Sequence, residues 1–362
     1  MKKLILTSML SIFVGGQAWA LSDIEITGEA DLNALVHLLP TGQAGETNFR
    51  VPSLLVNFGV PLKEGNLLYV SFEGAQKLKE AKGTGTGADA ASDSFSVNTR
   101  EAYLDLVSIF ESASSLRMGV IPDSWLESHY EDVNYRFLGE TAWGITEKWK
   151  YQYYSDLGLE FMSEMPWDLG EWSLSVVNGE GRDQDKSRAQ KEGALFLRFS
   201  SMNPFVLTLQ YLHGTYEAYG DDVGAKERIQ ASFLYKPEDS KTRIGIELMD
   251  AHDPADAITE YKMADGVDVT SLAGQAVHGL GGSVYTIFGM GPKGELMLRY
   301  DYLDAAVGES DKNMQTGILS FGYQVTEDVK TALAVDHTWY AENYGKGIRD
   351  ASKVELAAQV LF

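Results

Sequence analysis

Ser352-Lys353-Val354-Glu355-Leu356-Ala357-Ala358-Gln359-Val360-Leu361-Phe362 closes the chain, and its alternation decides the fold class. Val354, Leu356, Ala358, Val360 and Phe362 fall on one face of an extended strand, with Glu355, Ala357 and Gln359 on the other. A strand sends successive side chains to opposite faces, whereas a helix groups residues three and four apart. The same period runs upstream. Ile24, Ile26, Ala30, Leu32, Ala34 and Val36 oppose Glu25, Thr27, Glu29, Asp31 and Asn33. Leu54, Val56, Phe58 and Val60 oppose Ser53 and Asn57, and Leu68, Val70 and Phe72 oppose Ser71 and Glu73.

Beyond these three, strands are expected near 97–110, 113–121, 156–163, 171–178, 191–200, 205–215, 226–236, 241–250, 277–288, 293–303, 314–323, 327–338 and 352–362, about sixteen in all. Alternation is weakest at 277–288. The links between strands fall into two classes. Short ones lie at 61–65, 111–113, 166–170, 201–204, 237–240, 289–293 and 324–326. Longer ones, at 39–50, 79–96, 122–155, 179–190, 216–225, 251–276, 304–313 and 339–351, come between them.

One architecture unites these features. In hydrocarbon every backbone N–H and C=O must be paired internally, and a closed sheet has no unpaired edge. Its outer face is apolar against lipid and its inner face polar against water, with short periplasmic turns and long extracellular loops. A soluble sandwich would bury its apolar face and would not sort its links by length. The expected fold is therefore all-β, a transmembrane antiparallel β-barrel of about sixteen strands.

Residues 1–20 read as a signal peptide: Lys2 and Lys3, an apolar stretch from Leu4 to Val14, and the small-x-small pattern Ala18-Trp19-Ala20. Residues 21–362 then form a single barrel domain. No later segment offers about 18 consecutive apolar residues for a membrane-spanning helix. There is no Cys, which excludes disulfides, thiol chemistry and an N-terminal lipid anchor. The formal charge of −22 argues against nucleic acid as a partner, since phosphate contacts need a positive surface. Expected partners are outer-membrane lipid and lipopolysaccharide on the outside, and small hydrophilic solutes and ions within. No cofactor is implied.

The apolar face assigns the opposite residues to the lumen. Glu25, Glu29, Asp31, Glu73, Asp105, Glu160, Glu247, Glu295, Asp301, Asp336 and Glu355 point inward, with Arg117, Arg198, Arg228, Arg243, Arg299 and Lys330. From this set Arg117, Arg198, Arg228, Arg243, Arg299, Asp105 and Glu247 are the candidate lumen wall. The longest link, 122–155, is the candidate constriction, carrying Asp123, Glu127, Glu131, Asp132, Arg136 and Glu140, with Glu147, Lys148 and Lys150 nearby. Carboxylates facing arginines across a narrow aqueous gap create a transverse field and a size limit. Acids exceed bases in the loop and across the whole inward set, so weak cation preference is expected.

Trp167, Trp172, Tyr211, Tyr235, Tyr300, Tyr302, Tyr323 and Trp339 suit the headgroup level. Six histidines, His37, His129, His213, His252, His278 and His337, show no metalloprotease or zinc spacing. The run Lys82-Gly83-Thr84-Gly85-Thr86-Gly87 lacks the Gly-Lys-Ser/Thr ending of a phosphate loop and reads as a flexible connection. Asp301, Asp304, Glu309 and Asp311 form an acidic stretch able to hold calcium loosely, without an EF-hand arrangement. A barrel enzyme would need a nucleophile, base and orienter converging at the wall, and no combination is marked. An adhesin would need no open lumen.

Three local features carry a family resemblance: Leu116-Arg117-Met118-Gly119-Val120-Ile121-Pro122 entering the long link, Val177-Asn178-Gly179-Glu180-Gly181 leaving strand 171–178, and the terminal Phe362. The last resembles the C-terminal signature of outer-membrane barrels read by their assembly machinery. With the overall architecture they resemble bacterial trimeric porins, notably the porin O/P-like branch that includes phosphate-selective channels. That resemblance implies a passive channel built as a homotrimer of sixteen-stranded subunits. A phosphate path would display Arg and Lys, whereas this loop and the inferred lumen are acid-rich, so phosphate selectivity is not implied. A channel specific for phosphate, a dicarboxylate or a sugar is the nearest alternative to a general porin.

Overall fold

Alternation becomes a closed antiparallel sheet in the computed structural model, which describes residues 24–39, 47–77, 94–109, 113–179, 181–182, 191–215, 224–255, 275–342, 344 and 350–362. The proposed signal peptide and the Gly-rich run at 82–87 lie outside them. The strands are β1 (Glu25–Leu39), β2 (Thr47–Arg50), β3 (Leu54–Pro61), β4 (Leu67–Lys77), β5 (Ser94–Val107), β6 (Ser114–Pro122), β7 (Ser155–Glu164), β8 (Gly170–Val177) and β9 (Glu192–Phe199). They continue as β10 (Phe205–Thr215), β11 (Ala225–Tyr235), β12 (Arg243–Asp253), β13 (Val277–Met290), β14 (Gly294–Asp304), β15 (Asn313–Gln324), β16 (Val329–Tyr340) and β17 (Ala351–Leu361).

From β3 to β17 each strand pairs antiparallel with the next. The cylinder closes where β1 pairs with β17 on one side and with β2 and β3 on the other. Within that last seam Ala30 faces Leu54 while Asn33 faces Arg50, so three residues of one strand oppose two of β1. The extra residue is a bulge at Val51-Pro52-Ser53, where proline cannot donate to the ladder. Ser53 still accepts from Asp31 N at 2.8 Å. Thus β2 and β3 are two halves of one wall strand, and the barrel has 16 strands. β2 falls inside a stretch expected to be a link.

The two faces are those expected for lipid outside. Leu248 is 57% exposed and its neighbour Met249 1%; Leu356 is 57% exposed and Ala357 1%. Ile229, Phe233, Leu280, Leu298, Leu319 and Leu333 extend the apolar outer band. Links 62–66, 165–169, 200–204, 236–242, 291–293 and 325–328 lie at one end of the barrel.

Weak alternation at 277–288 has a physical cause. β13 alternates throughout, but Gly279 and Gly281 occupy inward positions where a side chain was expected. A Cβ on Gly279 would come within 2.7 Å of Tyr151 Oη, and one on Gly281 within 3.0 Å of the Trp149 ring. The missing side chains make room for a segment inside the barrel.

Candidate functional site: the loop within the barrel

That segment is 123–154. Its two ends are tied at the neck, where Asp123 N donates to Tyr154 O at 2.8 Å. Asp123 also caps helix α1 (Ser124–Val133), its carboxylate accepting from Leu126 N at 3.1 Å. An N-cap acceptor satisfies one of the orphan donors of the first turn. Asn134, at φ 52°, ends the helix in the left-handed region. A 3-10 segment (Arg136–Ala142) and the single turn α2 (Ile145–Lys148) bring the chain back to β7.

Apolar side chains seat the loop. Trp125 and Leu126 pack with Phe196 of β9. Val133, Tyr135, Phe137, Leu138 and Ala142 pack on Leu234, Tyr285, Ile287, Met297, Ile318 and Ala334, from β11 to β16. Ile145, Trp149 and Tyr151 pack on Met249, Ala251, Leu303 and Met314. A strand barrel whose inward face was read as polar therefore carries an apolar half, covered by its own loop.

Polar contacts complete the circuit. Ser124 Oγ donates to Glu160 of β7 at 2.5 Å, and Arg117 of β6 donates to Glu127 at 3.0 Å. Arg198 of β9 grips Asp132 through two bonds of 2.9 and 3.0 Å, and Arg243 of β12 donates to Asp132 O at 2.8 Å. Arg299 of β14 reaches the carbonyls of Ala142 at 3.2 Å and Trp143 at 2.9 Å. Lys148 pairs with Asp301 at 3.2 Å, and Lys330 of β16 donates to Asn134 O at 3.3 Å. On the far side Arg136 meets Glu73 of β4 at 3.5 Å. A loop that touches β4, β6, β9, β12, β14 and β16 has only one route, through the interior.

The expected constriction residues separate into roles. Asp123 belongs to the neck and also accepts from Gln210 at 3.1 Å. Burial pushes its carboxyl up to about 7, against the opposing bonds from Leu126 and Gln210. Asp132 is buried among Arg198, Lys236 and Arg243. Glu127 and Glu131, four apart and so on one helix face, keep access to interior water: Glu127 is partly exposed and Glu131 exposed. Burial and then the Glu127 charge raise the Glu131 carboxyl. The Glu140 side chain lies outside the described residues. Arg136 sits with Arg100 and Arg182 around Glu73, and Arg100 lies 3.9 Å over the Tyr154 ring. Burial works to lower the Arg136 pKa, but Glu73, Tyr130 and Glu147 outweigh it and hold the guanidinium charged.

The wall residues point inward. Arg117 pairs with Asp105 at 3.7 Å and Glu160 at 3.8 Å, Arg228 with Asp253 at 2.5 Å, and Arg243 with Glu295 at 3.8 Å. Glu247 meets the buried His129 of the loop.

Comparison with known proteins follows from this geometry. No family model matches the chain, and no curated protein does. Solved structures do match. Outer-membrane OmpT of Vibrio cholerae superposes with a TM-score of 0.60 at 10% identity, covering 94% of this chain and 97% of that one. The anion-selective porin from Comamonas acidovorans gives 0.61 at 10%, covering 94% and 99%. The outer membrane channel DcaP of Acinetobacter baumannii gives 0.59 at 11%, covering 94% and 97%. The fold is a porin fold. These matches spread across several porins and do not single out the phosphate-selective branch.

Within the porin fold the short motifs acquire roles. Gly179 and Gly181, at φ 85° and 75°, aim their N–H groups at Asp156 Oδ2, at 2.5 and 3.2 Å. The acidic stretch at 301–311 does not converge on a calcium site. Asp301 is buried and pairs with Arg299 at 2.7 Å, while Asp304 accepts from Ala306 N and Glu309 and Asp311 are exposed in the link beyond. The Glu73–Arg100–Arg136–Arg182 cluster was not foreseen, because it joins β4, β5, the loop and the link after β8.

Proposed function

We propose that this protein is an outer-membrane diffusion channel for small hydrophilic solutes and ions, exported by residues 1–20 and assembled as a homotrimer. The observation that carries the reading is the loop 123–154 lying across the interior of a sixteen-strand barrel, held by charged wall residues. The loop acts as the constriction. Its open side is the helix face bearing Glu127 and Glu131, where Arg117 of the wall pairs with both Glu127 and Asp105. The trimer form solved for OmpT of Vibrio cholerae supports the assembly, and lipid and lipopolysaccharide surround its outer face. Weak cation preference rests on the exposed Glu131 and the partly exposed Glu127, the latter paired with Arg117, while Asp132 is neutralised by its basic neighbours. The arginines around Glu73 favour a second reading, a path that binds an anionic solute.

Planar-bilayer recording of the purified folded protein tests the channel and its selectivity. Discrete conductance steps are expected, with a reversal potential on the cation side in a KCl gradient. Glu127→Gln with Glu131→Gln should move that potential toward zero. An anion-side potential would favour the arginine path, and no conductance from the folded oligomer would sink the channel.

A further inference from the structure

Asp250 and His252 stand two residues apart on β12, and His278 stands on β13 directly opposite His252. All three belong to the outer face, in phase with Leu248 and Leu280, whose side chains form the apolar band. They sit past that band, at the end of the β12–β13 hairpin where the long link 254–276 begins. The two imidazoles converge on one oxygen. His278 Nε2 lies 2.6 Å from Asp250 Oδ1, and His252 Nε2 lies 3.3 Å from the same atom. The rings are stacked with centroids 4.3 Å apart and planes within 5°. One ligand atom from each residue lies within 4.8 Å of the other two.

We propose that Asp250, His252 and His278 bind a divalent transition metal of the zinc class on the outer rim of the barrel. A tetrahedral ion with ligand distances of about 2.0–2.2 Å holds its donors roughly 3.3–3.6 Å apart. The two separations from Asp250, 2.6 and 3.3 Å, lie at or below that spacing, and the stacked rings must turn out of parallel so that one ion lies in both ring planes. Two neutral imidazoles and a carboxylate select zinc, copper or nickel over calcium and magnesium, which prefer oxygen donors throughout. The ladder between β12 and β13 fixes the donors from both strands, so little ordering is left for the ion to impose. Three protein donors leave one position open to water. The next row member, Glu227, lies opposite His252 but accepts from Tyr211 at 3.0 Å and faces His213 at 3.5 Å. The site is thus bounded, and His213 lies outside it.

The test uses the full folded protein in detergent with any affinity tag removed. Titration with Zn2+ alone, followed by calorimetry, should give one saturable site per chain that excess Ca2+ does not displace. His252→Gln and His278→Gln should each weaken it by more than the roughly 10–100-fold typical of losing an outer-shell partner, while His213→Gln leaves it unchanged. With Cu2+ instead, electron paramagnetic resonance should report two coordinated nitrogens, and one in either variant. Retained heat-dependent gel mobility certifies that each variant is folded. Absence of saturable Zn2+ binding, or wild-type affinity in the His252 and His278 variants, would overturn the site. Neither outcome depends on conductance.

Discussion

At the residue scale, Asp123 joins backbone closure to helix capping, and its titration couples both to pH. Its carboxyl is raised to about 7 by burial, well above the ordinary carboxylate range near 4. A raised acid favours the folded state in its protonated form. The contribution is therefore fully present below about pH 4 and is lost as pH climbs through 7. Asp123→Asn keeps an acceptor for Leu126 N without the charge, and should flatten that pH dependence while leaving the loop seated. Asp123→Ala removes the acceptor and should cost about 0.5–2 kcal/mol. Limited proteolysis of 123–154 across pH 5–9 separates them: the wild type should become more sensitive on the alkaline side and the Asn variant should not. Identical pH profiles would remove Asp123 from this role.

Elements repeat the lesson with backbone in place of charge. Gly119 of β6 has φ 134°, and a Cβ there would lie 2.2 Å from Ala102 O and 2.9 Å from Tyr103 Cα. Neither atom is the end of a flexible side chain, so Gly119→Ala must distort the β5–β6 ladder beside the loop neck. A strained backbone of this kind costs on the order of 1–3 kcal/mol. Urea unfolding should show a lower midpoint, and an unchanged midpoint would mean the ladder yields freely. The strands themselves were legible because period two survives in any barrel with lipid on one side. Two kinds of feature were not. The residues 47–50 looked like a link because the Val51-Pro52-Ser53 bulge breaks the alternation. Helix α1 was hidden because Asp123 and Asn134 are local cap signals inside a stretch read only for charge, and because its apolar face meets a lumen assumed to be wet. His252 and His278 likewise meet only through strand register, which spacing along the chain does not encode.

At the scale of the whole molecule, the barrel is an inside-out solution to burial with a second core added. The outer band is apolar against lipid, and the half of the inner face spanning β9 to β16 packs apolar clusters against the loop. The charges on that half, among them Arg198, Arg243, Arg299 and Lys330, engage the loop, and the inner and outer surfaces respond differently to substitution. Leu333 lies outward near the middle of β16, half exposed, while Ala334 beside it is fully buried under the loop. Leu333→Arg places a cation against hydrocarbon and should cost about 2–4 kcal/mol at the membrane midplane. Ala334→Leu adds volume to the packed interior, a change that costs typically 1–3 kcal/mol, and it acts by displacing the loop. Unfolding of bilayer-reconstituted protein in urea should show the Leu333 loss in full, with little of it remaining in short-chain detergent, where water reaches the outer face. The Ala334 loss should persist in both, accompanied by faster cleavage of 123–154. Equal behaviour of the two variants in bilayer and detergent would contradict the assignment of one face to lipid and the other to the loop.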